Sequence, residues 1–481
     1  MSQISARPRP PEPSESKIEK NGEVARKTRP AFPKLALFGA SPAFDTPLHV
    51  GRPNLGDRAR LDARIDEMFE RRWLSNNGPF VQEFEERLQE ITGAEHCIAM
   101  CNGTIALEVV VRALGLSGEV IVPSFTFVAT AHALRWHGIT PVFADADPDT
   151  HNLDPAAVEP LITPRTTAIV GVHLWGRGCD TDALEALARR HDLRLVFDAA
   201  HAFGASHDGR MIGRFGDAEI FSFHATKFVN AFEGGAVATD DAALAERVRL
   251  MNNFGFAGQD NVRTLGTNGK MSEMSAAMGL TSLESMDEIV AANRRNYHAY
   301  RRALKDIPGL HVSPYDEEER CNYQYVIVEV DEETCGLSRD DLVEVLSAEN
   351  VLARRYFYPG CHRMEPYCTE HPEVGERLPV TERLSNRLLA LPTGTTVGQG
   401  DVKEIGHILS SAIEAAALIR RRLHPAPVSA SPTSCASGGA GECCVGCKRN
   451  KSRERAGSAA EPRSSFASNG SERVTEQEEA E

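Results

Sequence analysis

The sequence predicts an α/β fold whose mostly parallel sheet is covered by helices on both faces. Two observations carry this. Between His96 and Asp198, β-branched apolar runs alternate with segments of helical period, the rhythm of repeated βαβ units. Polar residues suited to chemistry, namely Asn102, Asp198 and Ser222, fall at or near predicted strand ends. In parallel sheets, ligands bind at the carboxyl ends of the strands.

Residues 1–33 are rich in Pro, Ser, Lys, Arg and Glu, lack a hydrophobic period and read as a disordered extension. Residues 34–56 read as an N-terminal arm. Over 58–72, Leu61, Ile65, Met68 and Phe69 share one helical face; 73–79 is a loop, and 80–92 resumes as helix. Strands are expected at 96–101, 119–122, 141–144, 168–172, 193–198 and 218–223. Helices are expected from the Asn102-Gly103-Thr104 turn through Leu114, around 130–137 and over 182–191. A long helix at 286–304 would carry the chain into a smaller α/β domain. That domain has strands at 323–329 and 351–356, a helix at 338–347 and a closing amphipathic helix at 402–423. The expected division is a large domain at 57–290, a small C-terminal domain at 291–423 and a disordered, cysteine-bearing tail at 424–481.

At 481 residues, 41% hydrophobic and 25% charged, the chain has the bulk of a soluble globular protein with two or three domains. A formal net charge of -15 argues against nucleic acid and anionic membranes as partners. No apolar run approaches the roughly 18 residues of a membrane helix, and the N-terminus lacks the apolar core of a secretory signal. Cytoplasm is the expected location. Among eleven cysteines, seven are scattered and read as reduced thiols; Cys435, Cys443, Cys444 and Cys447 crowd into the tail. The Cys444–Cys447 pair lacks the second pair of a zinc site, so no metal is expected.

The candidate chemistry centres on Lys227, just past the β-prone run 218–223. A Schiff-base enzyme needs an amine on a rigid element, a phosphate-binding hydroxyl and a carboxylate for a pyridine nitrogen. Gly103 and Thr104 stand where a strand meets a helix, which favours phosphate, although an ordinary N-cap by Asn102 or Thr104 uses the same residues. Asp198 ends a buried run, where an idle charge is costly; a salt bridge is the plain alternative to a pyridinium partner. Phe127 could stack on a planar ring or pack in the core. His201 could meet a ring hydroxyl or be a core histidine. Ser222 lies five residues before Lys227, so one short loop could bring a hydroxyl to phosphate and an amine to an aldehyde carbon.

In order, these segments resemble the DegT/DnrJ/EryC1/StrS family of sugar-nucleotide aminotransferases, pyridoxal-phosphate enzymes of the aspartate-aminotransferase fold (fold type I). The likeness spans about residues 45–420. It rests on Asn102-Gly103-Thr104, on 123–127, 173–176, 198–205, 221–227 and 233–235, and on 268–273. The resemblance implies a large domain with a seven-stranded sheet, pyridoxal 5′-phosphate as cofactor, glutamate as amino donor, a nucleotide-linked keto sugar as acceptor, and a homodimer with shared active sites. It implies Lys227 as the Schiff-base and proton-shuttling lysine, Asp198 on the pyridine nitrogen, His201 facing the ring oxygen and Phe127 stacked on the ring. Gly103, Thr104, the Ile105 amide and Ser222 would surround the phosphate, and Asn268 would reach the cofactor phosphate of the neighbouring subunit. Lys270 stands where many members carry Arg, which keeps the charge but loses the bidentate fork. A branch of the family has histidine in place of Lys227 and dehydrates sugars, so the lysine implies amino transfer. Segments 73–79, 222–227, 232–235 and 253–256 look most like enzymes that aminate C4 of dTDP-4-keto-6-deoxyglucose. A 3-keto sugar nucleotide or a keto-cyclitol is the alternative acceptor, and a non-catalytic regulator the more distant reading. Substrate contacts are expected from 73–78, from 356–362 and near Arg354-Arg355.

Overall fold

A seven-stranded sheet forms the centre of the computed structural model, which describes residues 34–425. The expected N-terminal extension and all but the first two residues of the expected tail, with its four cysteines, lie outside the described residues. Along the chain the strands are β1 (His96–Met100), β2 (Glu119–Pro123), β3 (Thr140–Ala144), β4 (Thr166–Val172), β5 (Arg194–Asp198), β6 (Ala218–Ser222) and β7 (Gly235–Thr239). Their spatial order is β1-β7-β6-β5-β4-β2-β3, and only β7 runs against its neighbours.

Successive residues of a strand face opposite ways, and here both faces are buried. Ile121, Leu195, Phe197 and Phe221 pack into one apolar cluster, whereas Val120, Val122, Val196 and Ile220 pack into another. The first face is covered by α1 (Arg58–Arg71), α2 (Pro79–Thr92), the helix Thr181–Arg190 and the helix Glu273–Glu284. The second is covered by α3 (Gly103–Ala113), α4 (Ala129–Trp136) and the helix Ala242–Asn252. Each fully buried aromatic or aliphatic side chain contributes about 1.5–3 kcal/mol of transfer free energy. That burial holds the carboxyl ends of the strands in register.

The helix Met286–Leu304 joins this core to a third one. Met286 and Ile289 pack with the first cluster, while Tyr297, Tyr300 and Leu304 pack around an antiparallel sheet of Leu310–Val312, Val326–Val330 and Leu388–Leu391. Three sequence expectations differ here. The expected strand at 351–356 is a strand only over Val351–Leu352, because its partner Leu48–His49 is no longer than that; beyond it the chain turns toward the large sheet. The closing helix is two helices, Gln399–Glu414 and Ala416–Leu423, parted at Ala415 (φ -98°, ψ 12°). Phe69, expected on the buried face of α1, is 59% exposed, while Met68 is buried. The seven described cysteines are all free thiols.

Candidate active site

The site grows from the turns that leave β1, β2, β5 and β6. After β1, Asn102 caps α3: its Oδ1 accepts from the Ile105 amide at 2.8 Å. Gly103 follows, close under β6, since a Cβ added there would lie 3.3 Å from the Ser222 Cβ. Gly235, opposite Ser222 at the start of β7, has no room for a side chain at all. Its Cβ would meet the Asn102 carbonyl carbon at 2.5 Å and the Gly103 nitrogen at 2.6 Å. These contacts bring the Ser222 hydroxyl beside the N-terminus of α3, where free amides and the helix dipole favour an anion.

At the other end stand the charged groups. Asp198 is buried at the end of β5, and its carboxylate accepts from Thr130 Oγ1 (2.8 Å) and the Ala200 amide (3.1 Å). Burial raises its pKa, and those two hydrogen bonds pull it back. His201 is buried against Trp175 (rings 5.6 Å apart, stacked) and Tyr325 (4.5 Å), with Nδ1 unpartnered among the described residues. Burial, then the charge of Lys227, holds its pKa well below the ordinary value, so the ring is neutral. Lys227 Nζ donates to the Tyr325 hydroxyl at 3.4 Å. Loss of hydration brings its pKa down to about 8, against the opposing pull of Asp198.

A cavity of about 470 Å³ connects both ends. Its walls include Gly103, Thr104, Phe127, Asp198, His201, Ser222 and Lys227, so seven of the nine expected site residues share one space. Phe127 is 58% exposed and faces this cavity instead of the core. Two expected residues are not among those lining this cavity. The Ile105 amide donates to the Asn102 side chain and serves the helix cap. Asn268 is exposed and outside the cavity lining, bridged to Asn253. Lys270 is likewise engaged, its amine 2.9 Å from Asn253 Oδ1 and over the Phe254 ring. A second cavity, of about 510 Å³ and lined by residues of 298–312, contains none of the expected residues.

This donor set fits pyridoxal phosphate. The helix N-terminus with Thr104 and Ser222 suits a phosphate, and the buried carboxylate suits a protonated ring nitrogen. The unpartnered His201 nitrogen suits a ring oxygen, and the amine suits an aldehyde. A family model described as the DegT/DnrJ/EryC1/StrS aminotransferase family matches residues 57–410. The chain belongs to this family. It is a pyridoxal-phosphate-dependent aminotransferase of fold type I.

Two relatives, both named dTDP-4-amino-4,6-dideoxy-D-glucose transaminase, come from Shigella dysenteriae and Escherichia coli. The first is 39% identical over 353 residues, covering 73% of this chain and 94% of the relative. The second is 35% identical over 371 residues, covering 76% and 98%. The solved structure of DesI in the presence of its TDP-sugar product superposes with a TM-score of 0.77 at 54% identity. That match covers 82% of this chain and all of DesI. No helix among the described residues is long and apolar enough to cross a membrane.

Sequence reasoning did not single out Thr130 or Tyr325, which touch or wall the site, and named Trp175 only within the segment 173–176, without a role. Trp175 sits at φ 60°, an uncommon conformation for a bulky residue, with its ring stacked on Phe357 at 5.3 Å. Its Nε1 donates to His151 Nδ1 at 3.3 Å. Burial and the charges of Arg177 and Arg383 keep His151 down at about 3, hence neutral and able to accept. Segment 356–362 is fastened by His362, whose Nδ1 meets Ser124 Oγ at 2.7 Å and whose Nε2 meets Glu382 at 2.8 Å. Tyr356 and Phe357 thereby line the cavity, as expected of that segment. No residue of the loop 73–78 lines this cavity; the loop is tied to the helix Glu273–Glu284, its Leu74 carbonyl accepting from the Glu273 amide at 3.1 Å.

Proposed function

We propose that this aminotransferase moves an amino group from glutamate to C4 of dTDP-4-keto-6-deoxy-D-glucose, working as a cytoplasmic homodimer. The observation that carries the reading is the joint placement of Lys227, Asp198 and the α3 N-terminus around one cavity. The names of the Shigella and Escherichia relatives, and the TDP-sugar product in whose presence DesI was solved, support the substrate. Asn268, exposed and remote from its own cavity, fits the proposed role at a neighbouring subunit's cofactor.

Lys227 Nζ would hold the cofactor's aldehyde carbon. Gly103, Thr104 and Ser222 would anchor the phosphate, Phe127 would cover one ring face and His201 would meet the ring oxygen. When bound, pyridoxal phosphate supplies the electron sink that lets the amino donor lose its Cα proton. Asp198 would keep a proton on the ring nitrogen, and Thr130 and the Ala200 amide favour the charged carboxylate that this needs. Lys227 Nζ, with a pKa of about 8, takes the Cα proton of glutamate. In the second half-reaction it returns a proton to the sugar carbon that gains nitrogen. The Tyr325 hydroxyl holds the amine between these transfers.

Incubation with pyridoxal phosphate, glutamate and dTDP-4-keto-6-deoxyglucose should give a 4-amino sugar nucleotide identifiable by mass spectrometry and NMR. Lys227→Ala should abolish it. Product formation at the wild-type rate in that variant would remove Lys227 from the mechanism, and amination at another carbon would redirect the substrate assignment.

A further inference from the structure

Resting on that functional reading, the cavity must receive two unlike anions in turn, a carboxylate of the amino donor and the diphosphate of a nucleotide. An acidic cavity would repel both, and a neutral one would not offset their loss of hydration. Of the basic side chains lining it, Lys227 is committed to the cofactor, His201 is held neutral by burial, and His224 lies against Glu233 (3.5 Å) and Thr226 (2.8 Å). Arg354 remains.

Arg354 and its neighbour have different surroundings. Arg355 Nη1 lies 3.3 Å from Asp340 Oδ1, and its guanidinium covers the Tyr358 ring at 4.7 Å. The buried Arg339 shares both, with Nε 2.7 Å from Asp340 and its guanidinium 5.2 Å from the same ring. Arg354 is exposed, and its guanidinium has neither an ion-pair nor a hydrogen-bond partner among the described residues. Its backbone is fixed by a reciprocal pair of bonds, Arg354 N to Ala390 O (3.0 Å) and Ala390 N to Arg354 O (2.8 Å). The charge lies near enough to the Tyr325 and Tyr356 hydroxyls to oppose the upward push of burial on both. Tyr325 is the residue that touches Lys227 Nζ, so the free guanidinium stands on the reacting side of the cavity.

We propose that Arg354 is a shared anion receptor, binding a carboxylate of the amino donor in one half-reaction and the nucleotide diphosphate in the other. The planar fork of a guanidinium matches both groups bidentately, which an ammonium does not. Its freedom from internal partners lets it serve two ligands of different shape.

The test uses cofactor-loaded protein and two unreactive probes, glutarate for the donor and thymidine diphosphate for the acceptor, titrated by calorimetry. Losing a charge-assisted hydrogen-bonded contact, Arg354→Ala should weaken both probes by roughly 10- to 100-fold. Arg354→Lys should recover part of the loss, because it restores charge without the fork. Arg355→Ala, which removes an equal charge next door, should cost less than about fivefold. In steady state, KM for both substrates should rise in Arg354→Ala with kcat little changed, while the visible cofactor band stays as in wild type. A loss under about fivefold for either probe in Arg354→Ala would overturn the shared receptor, as would equal losses in Arg355→Ala. Wild-type turnover of the keto sugar nucleotide tests the functional reading separately, so the two failures are distinguishable.

Discussion

Lys227 stands under two opposing influences. Burial strips the ammonium of water and favours the neutral amine, while the nearby Asp198 charge favours the ammonium. The balance, a pKa of about 8, makes the neutral form grow as pH rises through that value, more than two units below an ordinary lysine. In cofactor-free protein, pH-dependent acylation of Lys227 followed by mass spectrometry should show a midpoint near 8. Asp198→Asn should lower it further, because the charge that supports the ammonium is gone; a midpoint near 10 would refute this account. Thr130→Val should cost about 1.5–3 kcal/mol in cofactor retention or turnover, the worth of a hydrogen bond to a charged group. Equal cofactor affinity and rate would sink that expectation. Asp198 was legible in the sequence because a charge ending an apolar strand demands a reason; Lys227 was legible only through its company, with Asp198 and the Gly103-Thr104 turn upstream and Ser222 five residues before it. Thr130 and Tyr325 were not, since a hydroxyl on a helix or strand is ordinary until folding brings it to a partner far along the chain.

Elements with a clear period were legible too, and those without one were not. The helix Glu273–Glu284 has Ala276 through Leu283 buried without a break, packed between α2 and the rest of the core. A helix buried all round has no apolar stripe to detect. Strand β7 reads Gly-Ala-Val-Ala-Thr, small residues of weak strand preference, so its antiparallel place beside β1 was invisible. The kink at Ala415 falls on the best helix-forming residue, where no sequence signal stops a helix. Gly235 of β7 supports a prediction. In Gly235→Ala the new methyl meets backbone atoms of Asn102 and Gly103 that cannot step aside. Overpacking of this kind costs about 1–3 kcal/mol, seen as a lower melting temperature, and should loosen the cofactor phosphate by displacing the α3 N-terminus. An unchanged melt with unchanged cofactor affinity would contradict the crowding.

The described chain exposes Phe69, Trp73, Leu74, Phe254, Phe256 and Leu265, large apolar groups on segments that include or flank Asn268 and the Trp73 loop. A soluble protein tolerates scattered apolar residues, yet this set is more than a single chain needs. The proposed homodimer accounts for it, and for the exposure of Phe69 on a helix whose sequence pattern places it inward. Sedimentation should therefore show a dimer, and Phe254→Ser with Phe256→Ser should shift it toward monomer with a fall in turnover. A monomeric wild-type enzyme with full activity would exclude shared sites. A single sequence shows that a side chain is apolar; it does not say whether its cover comes from the same chain.

Strand β7 enters the large sheet in the reverse direction immediately after β6, with Gly235 paired to Ser222. The intervening segment 223–234 is therefore a bight with both feet at one end of two paired interior strands, and its middle is moored by Asn230 to Ser282 and Asn54. Lys227, the proposed Schiff-base lysine, rides on this bight and not on a strand. Loop length is thus a dial separate from the scaffold: one inserted residue in 223–234 displaces the amine by up to about 3.5 Å while the sheet stays paired. Natural variation or engineering in this stretch would retune reach and chemistry without renegotiating the fold.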